Sequence, residues 1–344
     1  MTTFGLSMGI SPREPTRRVV DLASRAEGAG IDALWMIDSQ LVMRDAYMCL
    51  ATAASSTSSL KLGTGVTNPF TRHATVTANA ISTLDELSAG RAMLGVGAGD
   101  SALFPIGMKP ASIKEMRTWL TQVGGLLAGE QVTFAESHVA LTTARRVPIF
   151  LSASQPRMIR LAGQYADGVI LMGIASPDLI EMQLSQLREG LREAGRQDSD
   201  IVVDYWATIS IRDDLDEATR EVKSWASAQA RWLSRWKEVP PSLEKFRAEA
   251  QQAAATYDFG QHLSVKAGHA DVVSDEFVRL AAIAGDREHC LTRLRDIADL
   301  GVDRITLTLL SGGREERLER FHDLIAEFRS RSADSPVAKD VSGV

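Results

Sequence analysis

Two kinds of apolar spacing alternate along the chain. Short, nearly continuous apolar runs recur, of the kind a parallel strand needs when both its faces are covered. Between them, apolar residues return every three to four positions, the spacing of one helix face. The runs predict strands over Phe4–Ile10, Asp32–Ile37, Leu60–Val66, Ala92–Val96, Val147–Leu151, Gly168–Met172, Ile201–Ile211 and Arg304–Leu309. Helices are expected from the Pro12/Pro15 break to Ala29, over Ala46–Ser56, Thr75–Leu87 and Ile113–Leu127, and from Pro156 onward. Others follow over Asp178–Ala194, Arg287–Leu300 and Glu315–Ser330, with a small hairpin within Val132–Leu141. Eight βα units in series predict an α/β chain folded as a (β/α)8 TIM barrel. An open, doubly wound sheet is the alternative reading of the same pattern.

One stretch exceeds what a βα loop holds. Residues 215–285 form a helical insertion late in the chain, Trp-rich from Asp214 to Ala255, expected to cover the carboxyl mouth of the barrel. The reading is one domain over 1–331 and a small, polar, flexible tail over 332–344.

Composition narrows the class. The chain is 44% hydrophobic and 24% charged, ordinary for a globular protein, with a formal net charge of −6. An acidic balance argues against a nucleic-acid or anionic-membrane partner. Cys49 and Cys290 form no disulfide framework, as expected in a reducing cytoplasm. The start, MTTFGLSMGI, lacks the basic region and apolar stretch of a secretion signal, and no run approaches the ~20 apolar residues of a membrane span.

Barrel enzymes carry their chemistry at the carboxyl ends of the strands. That rule selects Ile10 with Ser11, Asp38 with Ser39, Gly65 to Asn68, Gly97 to Asp100, Ser152 to Ser154, and Gly173. The set is rich in Gly, Ser and Thr, with one early acid. Small residues let a flat ring approach backbone, and N–H groups and hydroxyls hold phosphate and carbonyl oxygens. No GxSxG, HExxH or CxxC motif is present, and the six histidines lack ligand spacing, so no metal is expected. The GxGxG of Gly95, Gly97 and Gly99 does not match the dinucleotide fingerprint, and a tight βα turn explains it equally well.

From Leu60 to Ala102 the sequence becomes specific. GTGVTNP, the Arg72–His73 pair, TLDELSAGRA and LGVGAGD closely resemble the bacterial-luciferase-like superfamily, in particular its coenzyme F420-dependent methylenetetrahydromethanopterin reductase branch. GIDALWMID resembles the family's second strand with its terminal acid, VPIFLSASQPRMIRLAGQYADGVIL its fifth and sixth units, and HCLTRLRDIADLGVDRITL its seventh helix and eighth strand. The resemblance implies a flavin- or deazaflavin-dependent oxidoreductase using coenzyme F420 or FMN on a small-molecule substrate. With F420 the reaction is hydride transfer. With FMN it is oxygenation, fed by a separate flavin reductase. A non-catalytic ligand-binding barrel is the third reading. A homodimer paired through the second and third helices is also implied.

The resemblance assigns residues as well. A cis peptide would join Gly65 and Val66 and press against the ring, an ordinary trans turn being the alternative. Asp38 would be the catalytic group, accepting a hydrogen bond or shuttling a proton, unless it caps a helix. Asn68, and more weakly Thr67, would bond a ring carbonyl, and Gly97 and Ala98 would border the ring. Ser152, Ala153 and Ser154 would meet the phosphate, although Gln155–Pro156 replaces the family's usual Gly-Pro. Asp100 is expected to order its turn, and Arg72 and His73 to bond structurally beneath the loop. His262 and His269 line the pocket or lie on the surface. Trp206, Trp225, Trp232 and Trp236 form an apolar lid or simply pack.

Overall fold

A computed structural model describes residues 2–257 and 271–333. The eight expected strands are β1 (Thr3–Met8), β2 (Ala33–Met36), β3 (Lys61–Thr64), β4 (Ala92–Val96), β5 (Ile149–Ala153), β6 (Gly168–Met172), β7 (Val202–Ala207) and β8 (Arg304–Thr308). Each pairs in parallel with its sequence neighbour, and β8 returns to β1 in the register Gly5↔Thr306 and Ser7↔Thr308. The sheet is therefore a closed barrel, and the open-sheet alternative is excluded. Helices α1 (Arg18–Gly28), α2 (Ala46–Ala54), α3 (Ala74–Leu87), α4 (Ile113–Leu127), α5 (Pro156–Tyr165) and α6 (Pro177–Glu193) connect the first seven strands.

Side-chain alternation sorts each strand into two cores. On β1, Phe4, Leu6 and Met8 face the surrounding helices and join the main core. The inner core is small: Ala33, Trp35, Met93, Phe150, Ile170 and Trp206. Glycine makes room for it. A Cβ on Gly63 would lie 2.3 Å from Trp35 Cζ3, and one on Gly95 2.1 Å from the Thr64 carbonyl oxygen.

Beneath the indoles, toward the amino ends of the strands, lies a buried ionic cluster. Asp204 is fully buried and accepts from Trp35 Nε1 (2.9 Å), Thr306 Oγ1 (2.7 Å) and Arg304 Nη1 (3.3 Å). Burial pushes the Asp204 carboxyl pKa up, and Arg304, Thr306 and Trp35 act against that rise. A buried charge holds its position only while paired.

The late part of the chain differs from the expectation. The run 201–211 is not one strand. β7 leaves the barrel after Ala207, and Ile209–Ile211 pairs in parallel with Ile283–Gly285, outside it. The long helical region is three helices, α7 (Leu215–Leu233), α8 (Pro241–Glu244), which starts on Pro241 at a first-turn position that suits proline, and α9 (Arg247–Thr256). Then α10 (Asp275–Ala281) leads into Ile283–Gly285, followed by α11 (Arg287–Ala298) and, after β8, α12 (Arg314–Ala333). Residues 332 and 333, expected in the tail, thus belong to α12, and 334–344 lie outside the described residues. The hairpin forms between Val132–Phe134 and Ser137–Val139. Among the described residues no helix is long and apolar enough to cross a membrane.

Replacing Asp204 with Ala leaves the Arg304 guanidinium buried without its carboxylate. We expect a loss of about 3–5 kcal/mol in urea unfolding; a loss under ~1 kcal/mol would remove the cluster from any role in holding the inner core.

Candidate active site at the barrel mouth

The floor of the mouth is a bulge after β3. Gly65 N donates to Met36 O (2.7 Å), then the chain leaves the ladder and rejoins it at Thr67, whose N donates to Gly95 O (3.0 Å). Gly97 N returns a bond to Thr67 O (2.9 Å), and Thr64 Oγ1 donates to Gly95 O (2.7 Å). The peptide between Gly65 and Val66 is cis. No side chain fits at 65, because a Cβ there would lie 2.8 Å from Trp35 Cβ and 2.9 Å from Trp206 Cη2. A Cβ on Gly97 would lie 2.9 Å from Val66 Cγ2. Both glycines mark close approaches that keep the floor flat.

Above it opens a cavity of about 430 Å³, within the range of small-molecule and cofactor sites. Asp38, Gly65, Val66, Thr67, Asn68, Gly97, Ala98, Ser152, Ala153 and Ser154 all line it. Among the described residues no large side chain fills the recess over the bulge. The buried Ser7 hydroxyl and the Trp206 indole N–H, both on lining residues, have no hydrogen-bond partner among the described residues. Flat backbone, apolar walls and unmatched polar groups fit a planar ring carrying carbonyl and ring-nitrogen groups.

Asp38 is buried, and Arg72 Nη1 donates to its Oδ2 at 3.3 Å. Burial raises the Asp38 pKa, and the Arg72 charge and Thr67 oppose the rise. Asp38 caps no helix; Asp45 caps α2, accepting from Met48 N at 3.0 Å. Arg72 also pairs with Asp45 and lies over the Tyr47 ring at 4.6 Å. It therefore does the structural bonding expected of it while setting the charge beside Asp38. His73 caps α3 and packs on Phe134 at 4.9 Å, away from the cavity lining.

Asn68 is placed at the cavity, but its carboxamide is largely committed. Oδ1 accepts from Phe70 N and Thr71 N, both at 3.0 Å, and Nδ2 donates to Thr71 Oγ1 at 3.0 Å. This Asx turn holds the 68–71 loop, leaving one Nδ2 hydrogen for any other partner. Ser152 Oγ points at Met172 Sδ (3.2 Å). Asp100 accepts from Arg231 of α7, so it does more than order its own turn: it ties the insertion to the β4 loop. The tryptophans divide. Trp206, Trp225 and Trp232 line the cavity, whereas Trp236 packs in the main core. His262 and His269 lie outside the described residues. Sequence reasoning missed Ser7, Arg157 and Arg235, which also line the cavity. Alternation along β1 would have placed Ser7 inward, but nothing local marks the two arginines as neighbours.

The model of the family described as luciferase-like monooxygenase matches residues 1–304. The chain belongs to this luciferase-like family. Its members similar to this chain include a 5,10-methylenetetrahydromethanopterin reductase of Methanolobus tindarius, 31% identical over 92% of this chain and 96% of the relative. An F420-dependent glucose-6-phosphate dehydrogenase of Microbacterium testaceum is 30% identical over 60% of this chain and 68% of the relative. The solved coenzyme F420-dependent tetrahydromethanopterin reductase of Methanopyrus kandleri shares the fold, with a TM-score of 0.75 at 24% identity, covering 95% of this chain and 99% of that one. The luciferase-like chain described here is an oxidoreductase.

Arg72 opposes the upward shift of Asp38, so removing it lets that pKa rise further. The sign is the same whether Asp38 works ionised or protonated: its limb of the pH profile of kcat/KM moves to higher pH in Arg72→Met. Profiles of the wild type and variant that superimpose would exclude Asp38 as the titrating group.

Proposed function

We propose that this chain transfers a hydride between coenzyme F420 and a small organic substrate, the ring lying on the Gly65–Val66 backbone. The observation that carries this reading is the floor formed by the Gly65 and Gly97 backbone and the Val66 side chain, beside the unmatched Ser7 hydroxyl and Trp206 N–H. The similarity to reductases and an F420-dependent dehydrogenase supports it. When bound, the reduced deazaflavin supplies the hydride.

The chain's own residues do the rest. Val66 and the bulge backbone support one face of the ring. Gly97 and Ala98 border it, and Thr67, with the one free Nδ2 hydrogen of Asn68, offers donors to its carbonyl edge. Ser152, Ala153 and Ser154 receive the phosphate-bearing side chain. Asp38, buried with its pKa raised, accepts a hydrogen bond from, or exchanges a proton with, the substrate heteroatom. Trp206, Trp225 and Trp232 exclude water from the reacting face.

A second reading is an FMN-dependent monooxygenase served by a separate flavin reductase. The description of the matching family model favours it, as does the fold likeness (TM-score 0.66) to an FMN-complexed monooxygenase of Pseudomonas putida.

We also read the molecule as a homodimer paired through α2 and α3. Met48 on α2 and Val76 on α3 are 70% and 53% exposed, apolar side chains on the two helices that the family resemblance assigns to pairing.

Fluorescence titration of the purified protein with oxidised F420 and with FMN separates the two cofactors. Saturable binding of F420, with FMN at least about tenfold weaker (~1.4 kcal/mol), is expected. Tighter FMN binding would favour the monooxygenase reading, and binding of neither would remove both. For assembly, Met48→Glu with Val76→Glu should convert a dimer to monomer in sedimentation. A wild-type monomer would contradict the α2–α3 interface.

A further inference from the structure

Asp38 does not set its own charge. Among the described residues, the charged and titratable groups that act on it come from two places: Arg72 from the loop after β3, and Asp45 and Tyr47 from the start of α2. Thr67 adds a hydroxyl within reach of the carboxyl. Arg72 and Thr67 favour the charged form, and burial and Asp45 oppose it. Whatever holds the two favourable groups in place therefore governs Asp38.

Tyr47 meets both. Asp45 caps α2, and Tyr47 follows two residues later in the first turn. The Asp45 carboxylate pairs with Arg72, while the Arg72 guanidinium carbon lies 4.6 Å from the centre of the Tyr47 ring. A cation over an aromatic face is attracted to it, so Arg72 is held from two sides as its Nη1 reaches Asp38 Oδ2 at 3.3 Å. The other end of the same residue turns inward. The Tyr47 ring is half-buried and packs against the main core, but its hydroxyl is buried and meets the hydroxyls of Thr67 and Thr77. Packing alone does not call for that hydroxyl, because a phenyl ring fills the same space without desolvating an oxygen. A threonine hydroxyl has two lone pairs, so Thr67 can accept from Tyr47 while its own hydrogen stays available.

We propose that Tyr47 is a positioning residue for Asp38: its ring holds Arg72 at the carboxyl, and its hydroxyl steadies Thr67. The start of α2 thereby takes part in setting the protonation of a group at the barrel mouth. Tyr47 is not among the residues lining the cavity, so it acts through these two neighbours and touches neither substrate nor cofactor. The consequence for the reaction rests on the role given to Asp38 above.

The test reads Asp38 directly, by carbon-13 NMR of the full chain labelled at the aspartate carboxyl carbon and followed against pH. The Asp38 line is the one missing from Asp38→Asn. Tyr47→Phe keeps the ring and removes the hydroxyl; it should raise the Asp38 midpoint by about half a pH unit, a roughly threefold fall in the acid constant. Tyr47→Leu removes the ring as well and should raise it by about one pH unit, roughly tenfold. In an Arg72→Met background Tyr47→Leu should add less than about half of that, because the group the ring holds is already gone. Wild-type near-ultraviolet circular dichroism in Tyr47→Phe reports an intact core. Asp38 titrating as in the wild type in both Tyr47 variants overturns the proposal, as does a Tyr47→Leu shift undiminished by Arg72→Met. The titration needs neither cofactor nor substrate, so its failure is separate from that of the ring reading, which the F420 titration above decides.

Discussion

Two indoles in the middle of a narrow barrel set the terms for everything above them. Trp35 and Trp206 lie with ring centroids 6.0 Å apart, and Phe150 meets Trp35 edge-on at 5.2 Å. An eight-stranded barrel has an interior only wide enough for side chains to fill. Two groups of this size are accommodated because β3, β4 and the turns after them carry glycine at 63, 65, 95 and 97. The same glycines leave bare backbone at the mouth, where a planar group has room to lie. Core packing and ligand seating are thus two consequences of one steric arrangement, and a methyl group added at 65 would disturb both.

Electrostatics follow the same economy. The deepest charge, Asp204, is anchored by the Trp35 indole, Thr306 and Arg304, which fixes the orientation of an indole packed against the glycines of the floor. Higher up, Asp38 is held between desolvation, which disfavours its charge, and Arg72, which favours it. Such a balance leaves a carboxyl responsive to a substrate placed beside it. The Asp100–Arg231 pair then joins the β4 loop to the insertion, so the helix that walls the cavity is tied to the turn bordering it.

Much of this was legible in the sequence, and the reasons are physical. Buried parallel strands show as unbroken apolar runs, and Ala92–Val96 and Gly168–Met172 lie where their runs do. The ring of small residues at the strand ends was legible because a barrel places its loops predictably. The exit of the chain at Thr208 was not, since the apolar run continues through Ile211 while its partner changes from β8 to the three-residue Ile283–Gly285. So short a strand has no period to detect. The commitment of Asn68 had a signal in NPFT, an Asx-turn sequence, which competes with a ligand-binding role for the same carboxamide. Arg157 and Arg235 were invisible as a pair, because only the fold brings residues 78 positions apart to one cavity.

The central claim is positional: the redox ring rests on the backbone of residues 65 and 66. A crystal structure of the complex with oxidised deazaflavin tests it most directly. The account predicts the central ring in van der Waals contact with Val66, about 3.5–4 Å away, with Gly97 at its border. A ring bound elsewhere in the barrel mouth, with the Gly65–Val66 floor facing solvent, would contradict it.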